Sequence, residues 1–118
     1  MLIDSHAHIQ GKEYAGEVEA VIARAREAGV GKIIAVGGAG DMSSNTEAIA
    51  LAKTFPEIYA TVGMHPHDAK DVGADELKRL KELAADPKVV AVKGTSLKVG
   101  RQGDDRKRAT VFWHIATR

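Results

Sequence analysis

The sequence predicts an α/β fold in which four β-strands alternate with three helices. Short apolar runs rich in β-branched residues are typical of strands buried on both faces of a parallel sheet. Between these runs, apolar residues recur every three or four positions, as on one face of a helix. The strand starts near positions 2, 32, 58 and 88 are separated by about 26–30 residues, the length of a βα unit.

The elements follow in chain order. The predicted strands are Leu2–Ile3, Lys32–Val36, Ile58–Val62 and Lys88–Val92. The apolar residues at helical spacing are Tyr14, Val18, Val21, Ile22 and Ala25 in the first helix, Ala48, Leu51, Ala52 and Phe55 in the second, and Leu77, Leu80, Leu83 and Ala84 in the third. Gly29 is placed to end the first helix, Ser44 and Glu47 form a potential capping box for the second, and Pro87 ends the third.

Three segments lie outside this pattern. Gly37–Gly40 lacks the glycine spacing of a dinucleotide site and the Gly-Lys-Ser/Thr ending of a phosphate loop, so it is interpreted as a βα turn. Residues 99–105 are predicted to be a loop. Residues 106–118 are predicted to form a short helix with Val111, Phe112 and Ile115 on its apolar side, and His114 would belong to it.

The composition is that of one globular domain. The chain has 118 residues, of which 44% are hydrophobic and 28% charged. The absence of cysteine excludes disulfides, thiolate zinc sites and cysteine nucleophiles. No apolar run is long enough to span a membrane, and Asp4 follows the start too closely for a secretory signal. We therefore expect a cytoplasmic protein with no membrane partner.

The charge is unevenly distributed along the chain. Seven basic and two acidic residues give residues 93–118 a net charge of +5, whereas residues 1–92 carry −4. The basic segment lacks the dense Lys/Arg run of a nucleic-acid-binding arm. The change in charge therefore marks a boundary in the sequence without identifying a partner.

The strongest chemical signal is a pair of histidines after the first strand. His6 and His8 are two positions apart, so in an extended strand their side chains project to the same side. Two neutral imidazoles in that arrangement suit a divalent metal such as zinc, iron, nickel or manganese. Asp4 is a further candidate for the same face, and the alternative for it is a buried structural role. The alternative is that these are two unrelated histidines in a strand-to-loop turn.

Two segments resemble the TatD family of metal-dependent deoxyribonucleases, in the amidohydrolase-like superfamily. Met1–His8 (MLIDSHAH) resembles the opening of that family, and Gly63–His67 (GMHPH) resembles its Gly-x-His-Pro-His segment. The βα spacing between the two segments agrees with the family as well. The resemblance covers about the first 92 residues.

The resemblance implies the N-terminal half of a (β/α)₈ TIM-type barrel, with metal ions at its C-terminal face. The expected activity is hydrolysis of phosphodiester bonds in DNA, and the expected cofactors are divalent ions such as zinc, magnesium or manganese. By resemblance, His6 and His8 are metal ligands, whereas His65 and His67 lie at the rim of the site and position a substrate phosphate. The alternative for His65 and His67 is a rigid turn set by the intervening proline.

The sequence departs from the family pattern after the fourth strand. The family has a Gly-Glu-x-Gly-Leu-Asp segment there, whose glutamate is a metal ligand, but this chain has Gly94 at the glutamate position between Lys93 and Lys98. The resemblance also implies ligands from later strands, which have no counterpart in these residues. We therefore expect a single incomplete barrel domain over 1–118, in which 1–92 is family-like and 93–118 is a divergent basic segment with a truncated end.

Two function classes remain open at this stage. The chain is a TatD-type hydrolase, truncated and inactive alone, or a non-catalytic half-barrel that binds metal weakly or pairs with another chain. A different hydrolase of the same superfamily would share His6 and His8. A half-barrel leaves sheet edges at Leu2–Ile3 and Val89–Val90, so we also expect self-association.

Overall fold

The computed structural model describes residues 1–39, 41–64 and 73–93, with the backbone of residues 114–115. Four parallel strands alternate with three helices, which confirms the predicted order. The strands are β1 (Leu2–Ala7), β2 (Val30–Val36), β3 (Ile58–Gly63) and β4 (Val89–Lys93), followed by the two-residue β5 (His114–Ile115). The helices are α1 (Val18–Glu27), α2 (Ser43–Thr54) and α3 (Ala74–Ala84), and a 3₁₀ turn at Lys12–Tyr14 precedes α1.

The described strands form one sheet in the order β1-β2-β3-β4-β5. The first four are mutually parallel, and each lies beside the strand that precedes it in the chain. Parallel strands added in sequence order, with a helix between each pair, build the wall of a (β/α)₈ barrel. The carboxyl ends of all four strands consequently lie along the same edge of the sheet.

The apolar core lies on the helix side of the sheet. Fully buried side chains alternate along β3: Ile58, Ala60 and Val62. By the same alternation, Tyr59 and Thr61 project from the opposite face of the sheet. On α3, Leu80 joins the core, whereas Leu77, predicted on the same apolar side, is 59% exposed.

The helix ends confirm one sequence prediction and correct another. Gly29 follows Ala28, the residue that caps the end of α1, and has φ +88°, the left-handed conformation that glycine adopts after helix C-termini. The predicted capping box at Ser44 is wrong, because α2 already begins at Ser43. The Ser44 hydroxyl accepts from Gly38 N–H at 2.7 Å and donates to the Asp41 carbonyl at 2.9 Å. Its side chain therefore binds the preceding turn instead of the helix backbone.

The prediction of a helix over residues 106–118 is wrong at the two positions that the structure describes. Residues 114–115 form β5, which pairs antiparallel with Ala91 and Val92 of β4. A strand edge offers unpaired N–H and C=O groups, so pairing with it outweighs the weak helical pattern. The predicted loop over 99–105 lies outside the described residues.

Candidate functional site

His6 and His8 lie together at the carboxyl end of β1. Their Nε2 atoms are 3.1 Å apart, and the ring centroids are separated by 5.0 Å with the ring planes at 75°. The His6 side chain is exposed and that of His8 is half-buried. The structure therefore brings the two predicted side chains to one point.

A register shift in β1 affects the direction of these two side chains. Asp4 lies opposite Ile33 and Ala7 lies opposite Ala35, so β1 has one more residue than β2 over this stretch. Such irregularities bend a strand and redirect its side chains. Within this stretch, the His6 backbone N–H donates to Asp4 Oδ1 at 3.0 Å. Asp4, which was a candidate for the metal face, therefore shapes the backbone that carries His6.

A backbone carbonyl determines the tautomer of His8. His8 Nδ1 lies 3.0 Å from the Val36 carbonyl oxygen at the end of β2. Because a carbonyl oxygen only accepts, Nδ1 carries the proton and Nε2 keeps its lone pair. His6 Nε2 then donates its proton to His8 Nε2 across the 3.1 Å contact. An imidazole that is oriented through its second nitrogen is the usual state of a metal-ligating histidine.

The pair fits one divalent ion. With Zn–N bonds of about 2.0–2.1 Å, two nitrogens on one ion lie about 2.9 Å apart at a right angle and about 3.3 Å apart at a tetrahedral angle. The observed 3.1 Å falls between these values. Within the described residues, no group of three or more His, Cys, Asp or Glu side chains is placed to hold a metal. The described part of the site is thus a two-nitrogen donor set.

A cleft of about 440 Å³, lined mostly by polar residues, opens beside His8. Gln10, at its border, donates from Nε2 to the same Val36 carbonyl at 2.8 Å, while its buried Oε1 has no hydrogen-bond partner among the described residues. Two hydrogen bonds from Ser43 lower the pKa of Asp41, and the one from the Ser43 hydroxyl has a larger effect than the one from the Ser43 N–H. The cleft is lined by His8, Gln10, Gly11, Lys12, Glu13, Ala39, Asp41, Ser43, Ser44 and Glu47.

Asn45 braces the carboxyl end of β3, and the sequence analysis did not identify it. Its side chain is fully buried, its Oδ1 accepts from Gly63 N–H at 2.9 Å, and its Nδ2 donates to the Gly63 carbonyl at 2.9 Å. The signal in the sequence was an amide side chain on the face of α2 that otherwise carries small apolar residues. These two hydrogen bonds, called the Asn45 bracket below, hold the backbone of Gly63, the residue immediately before Met64 and the His-Pro-His segment.

Close backbone contact explains the glycines that follow β2. A Cβ on Gly38, whose φ is +84°, would lie 2.5 Å from the Gly63 carbonyl oxygen, and a Cβ on Gly37 would lie 2.5 Å from Asn45 Oδ1. A Cβ on Gly63 would in turn lie 2.0 Å from the carbonyl oxygen of Lys93. These residues serve the packing of neighbouring strand ends, consistent with a βα turn at Gly37 and Gly38, whereas Gly40 lies outside the described residues.

The remaining predicted positions are not covered by the structure. His65 and His67, expected at the rim of the site, lie outside the described residues, as do Gly94 and Lys98. Lys93 ends β4 and is half-buried. No helix in the described part of the chain is long and apolar enough to cross a membrane.

Comparison with known proteins places this geometry in a family. The model of the family described as TatD related DNase matches residues 3–116. The chain belongs to the TatD-related DNase family. This is a family of metal-dependent hydrolases and nucleases by the names of its members, and the matched region extends beyond the first 92 residues.

Two curated TatD relatives illustrate the match. The uncharacterized metal-dependent hydrolase YabD of Bacillus subtilis (strain 168) is 40% identical over 92 residues, which are 78% of this chain and 35% of YabD. The 3'-5' ssDNA/RNA exonuclease TatD of Edwardsiella piscicida is 34% identical over 92 residues, 77% of this chain and 35% of that enzyme. The chain thus spans about a third of the length of these relatives.

A solved TatD-family structure agrees with the fold. The crystal structure of YJJV, a TatD homolog from Escherichia coli K12, superposes with a TM-score of 0.68 at 32% identity. The match covers 89% of this chain and 40% of YJJV. The chain therefore has the fold of an α/β half-barrel of the TatD type, as predicted.

Proposed function

We propose that this chain contributes the first two metal ligands of a TatD-type nuclease that cleaves phosphodiester bonds in DNA. The observation that carries the proposal is the 3.1 Å contact between His6 Nε2 and His8 Nε2, with His8 held in its ligating tautomer by Val36. The relative from Edwardsiella piscicida, named as an exonuclease on single-stranded DNA and RNA, supports a nucleic-acid substrate.

The described residues prepare the site in three ways. His6 and His8 would hold the ion through their Nε2 atoms, and for this His6 would carry its proton on Nδ1 instead of Nε2. The Val36 carbonyl keeps the His8 ring in place by accepting a hydrogen bond from Nδ1, and β2, which carries Val36, pairs with β1. A divalent ion, when bound, supplies Lewis-acid activation of the phosphodiester and of water. The cleft beside His8 has a volume in the range of small-ligand sites, so we assign it to the nucleotide next to the scissile bond.

The alternative is a half-barrel that binds metal without catalysis. A catalytic zinc site uses three protein ligands and an open position, whereas the described residues supply two. We therefore expect the 118-residue chain alone to bind a divalent ion weakly and to leave DNA intact. A cytoplasmic location is part of the same proposal, as is the substrate-positioning role of His65 and His67.

Zinc binding tests the ligand assignment. Calorimetric titration of the wild-type chain should show a one-to-one event, and His6→Ala should weaken it by about tenfold or more, because one of two donors is lost. Ser5→Ala is the matched control, since it changes an exposed neighbour on the same strand. Equal zinc affinities for the wild type and His6→Ala would refute the assignment.

A nuclease assay separates the two functions. The purified chain, made in a host without related nucleases, is incubated with end-labelled single-stranded DNA and magnesium or manganese. The expected result is no cleavage above that of His6→Ala. Cleavage that depends on His6 would instead show that the chain completes its own catalytic site, by self-association or through residues 65–72 and 94–113.

A further inference from the structure

Two lysines and a tyrosine form a cationic cluster at the amino ends of the strands. Lys32 of β2 donates from Nζ to the Tyr59 hydroxyl at 3.1 Å, and Nζ lies 4.7 Å from the centre of the Tyr59 ring. Lys88, just before β4, places its Nζ 4.4 Å from the same ring centre. All three side chains are half-buried. Three separate strand starts thus contribute to one charged cluster.

The positive charges of this cluster are not neutralised by the described residues. The ion pairs of that part of the chain join Arg26 to Glu57, Lys53 to Asp86 and Arg79 to Glu82, so neither Lys32 nor Lys88 takes part. The pKa of the Glu57 carboxyl is lowered first by its own backbone N–H and then by Arg26, which binds it, and Lys88 has the smallest effect.

Within the described part of the chain, the hydrogen bonds of the cluster leave some donors unused. Lys88 Nζ donates to the Pro56 carbonyl at 3.0 Å and to the Ile58 carbonyl at 2.9 Å, which holds its charge in place. Lys32 has three N–H donors, and the Tyr59 hydroxyl takes one. The Tyr59 hydroxyl accepts from Lys32, and none of the described residues accepts its own proton. Among the described residues, two ammonium protons of Lys32 and the phenolic proton of Tyr59 therefore have no hydrogen-bond partner.

We propose that Lys32 and Tyr59 bind an oxyanion, with Lys88 supplying a second fixed positive charge. Hydrogen bonds from an ammonium and a phenol suit a phosphate or a carboxylate group. The cation–π contacts of Lys32 and Lys88 with the Tyr59 ring keep the two ammonium groups in position beside the hydroxyl. The site is separate from the histidine pair, because Lys32 lies in the amino-terminal half of β2 and Val36 ends it, about 13 Å away along the strand. It is also independent of the proposed nuclease function.

Tyrosine NMR tests this directly. The chain contains two tyrosines, so ¹³Cζ-tyrosine labelling gives one signal for Tyr59 and one internal reference from Tyr14, assigned with Tyr59→Phe. Sodium phosphate is titrated at constant ionic strength set with chloride. The Tyr59 signal should shift and saturate while the Tyr14 signal stays in place.

Matched variants identify the donors. Lys32→Met should lower the phosphate affinity by about tenfold or more, since it removes a charged donor. Lys32→Arg should retain binding, and Lys78→Met, which removes an exposed lysine on α3, should leave the affinity unchanged. Circular dichroism checks that each variant is folded.

A parallel titration with sodium acetate distinguishes the sources of the oxyanion. Saturation by phosphate alone indicates a free phosphate-bearing ligand, whereas saturation by both anions indicates that a carboxylate on a protein segment also fits. Either result supports the proposal. An unsaturable shift, equal movement of both tyrosine signals, or undiminished affinity in Lys32→Met would overturn it.

Discussion

Replacing Asn45 by alanine should strongly destabilise the sheet beside the candidate site. The Asn45 side chain is fully buried and makes both hydrogen bonds of the Asn45 bracket. Alanine leaves a buried N–H and a buried C=O without partners, at about 1–3 kcal/mol each, and opens a small cavity. We expect a loss of about 3–5 kcal/mol in the free energy of unfolding, against about 5–15 kcal/mol for a typical domain.

Urea denaturation followed by circular dichroism measures this loss, and an unchanged m-value verifies that the comparison is valid. Thr46→Ala is the matched control on the exposed side of α2, with an expected effect within about 0.5 kcal/mol. Asn45→Asp keeps the volume and the acceptor but removes the donor to the Gly63 carbonyl, so it should also be destabilising. A loss below about 1 kcal/mol for Asn45→Ala would refute the bracket as a source of stability.

Three further predictions concern the backbone, acid stability and association. Gly38→Ala should cost about 2 kcal/mol or more, because its Cβ meets the Gly63 carbonyl, whereas Gly16→Ala, at φ +81° with open space, should cost only about 1 kcal/mol of strain in the same urea assay. The pKa of Asp86 is lowered below its ordinary 3.8, first by the Lys88 N–H and then by Lys53. The ionised Asp86 therefore stabilises the fold above pH 3.8, and this contribution is lost as the pH falls through the lower pKa of the folded state. Asp86→Asn should reduce the free energy of unfolding at pH 7 and make that free energy fall less steeply below about pH 4. Ile3 is 56% exposed on β1, so Ile3→Lys should reduce self-association in sedimentation experiments; a wild-type chain that is monomeric at tens of micromolar would contradict this.

The sequence by itself determined the alternation of strands and helices, because each depends on a periodicity carried within one short segment. Gly29 shows the same locality, since the end of a helix is set by residues within one turn. The His6–Ala7–His8 spacing likewise predicted two imidazoles at the end of a strand. Predictions that relied on a weak local pattern alone were overridden by other contacts: the Ser44 side chain bonds the preceding turn, and residues 114–115 of the predicted helix pair with β4.

The tertiary structure decided how these side chains are used. The tautomer of His8 depends on the Val36 carbonyl, 28 positions away, and the Asn45 bracket depends on Gly63, 18 positions away. The cluster around Tyr59 gathers side chains from the starts of three strands. Such contacts depend on the register between strands, which is set by the packing of the whole sheet and not by any one segment.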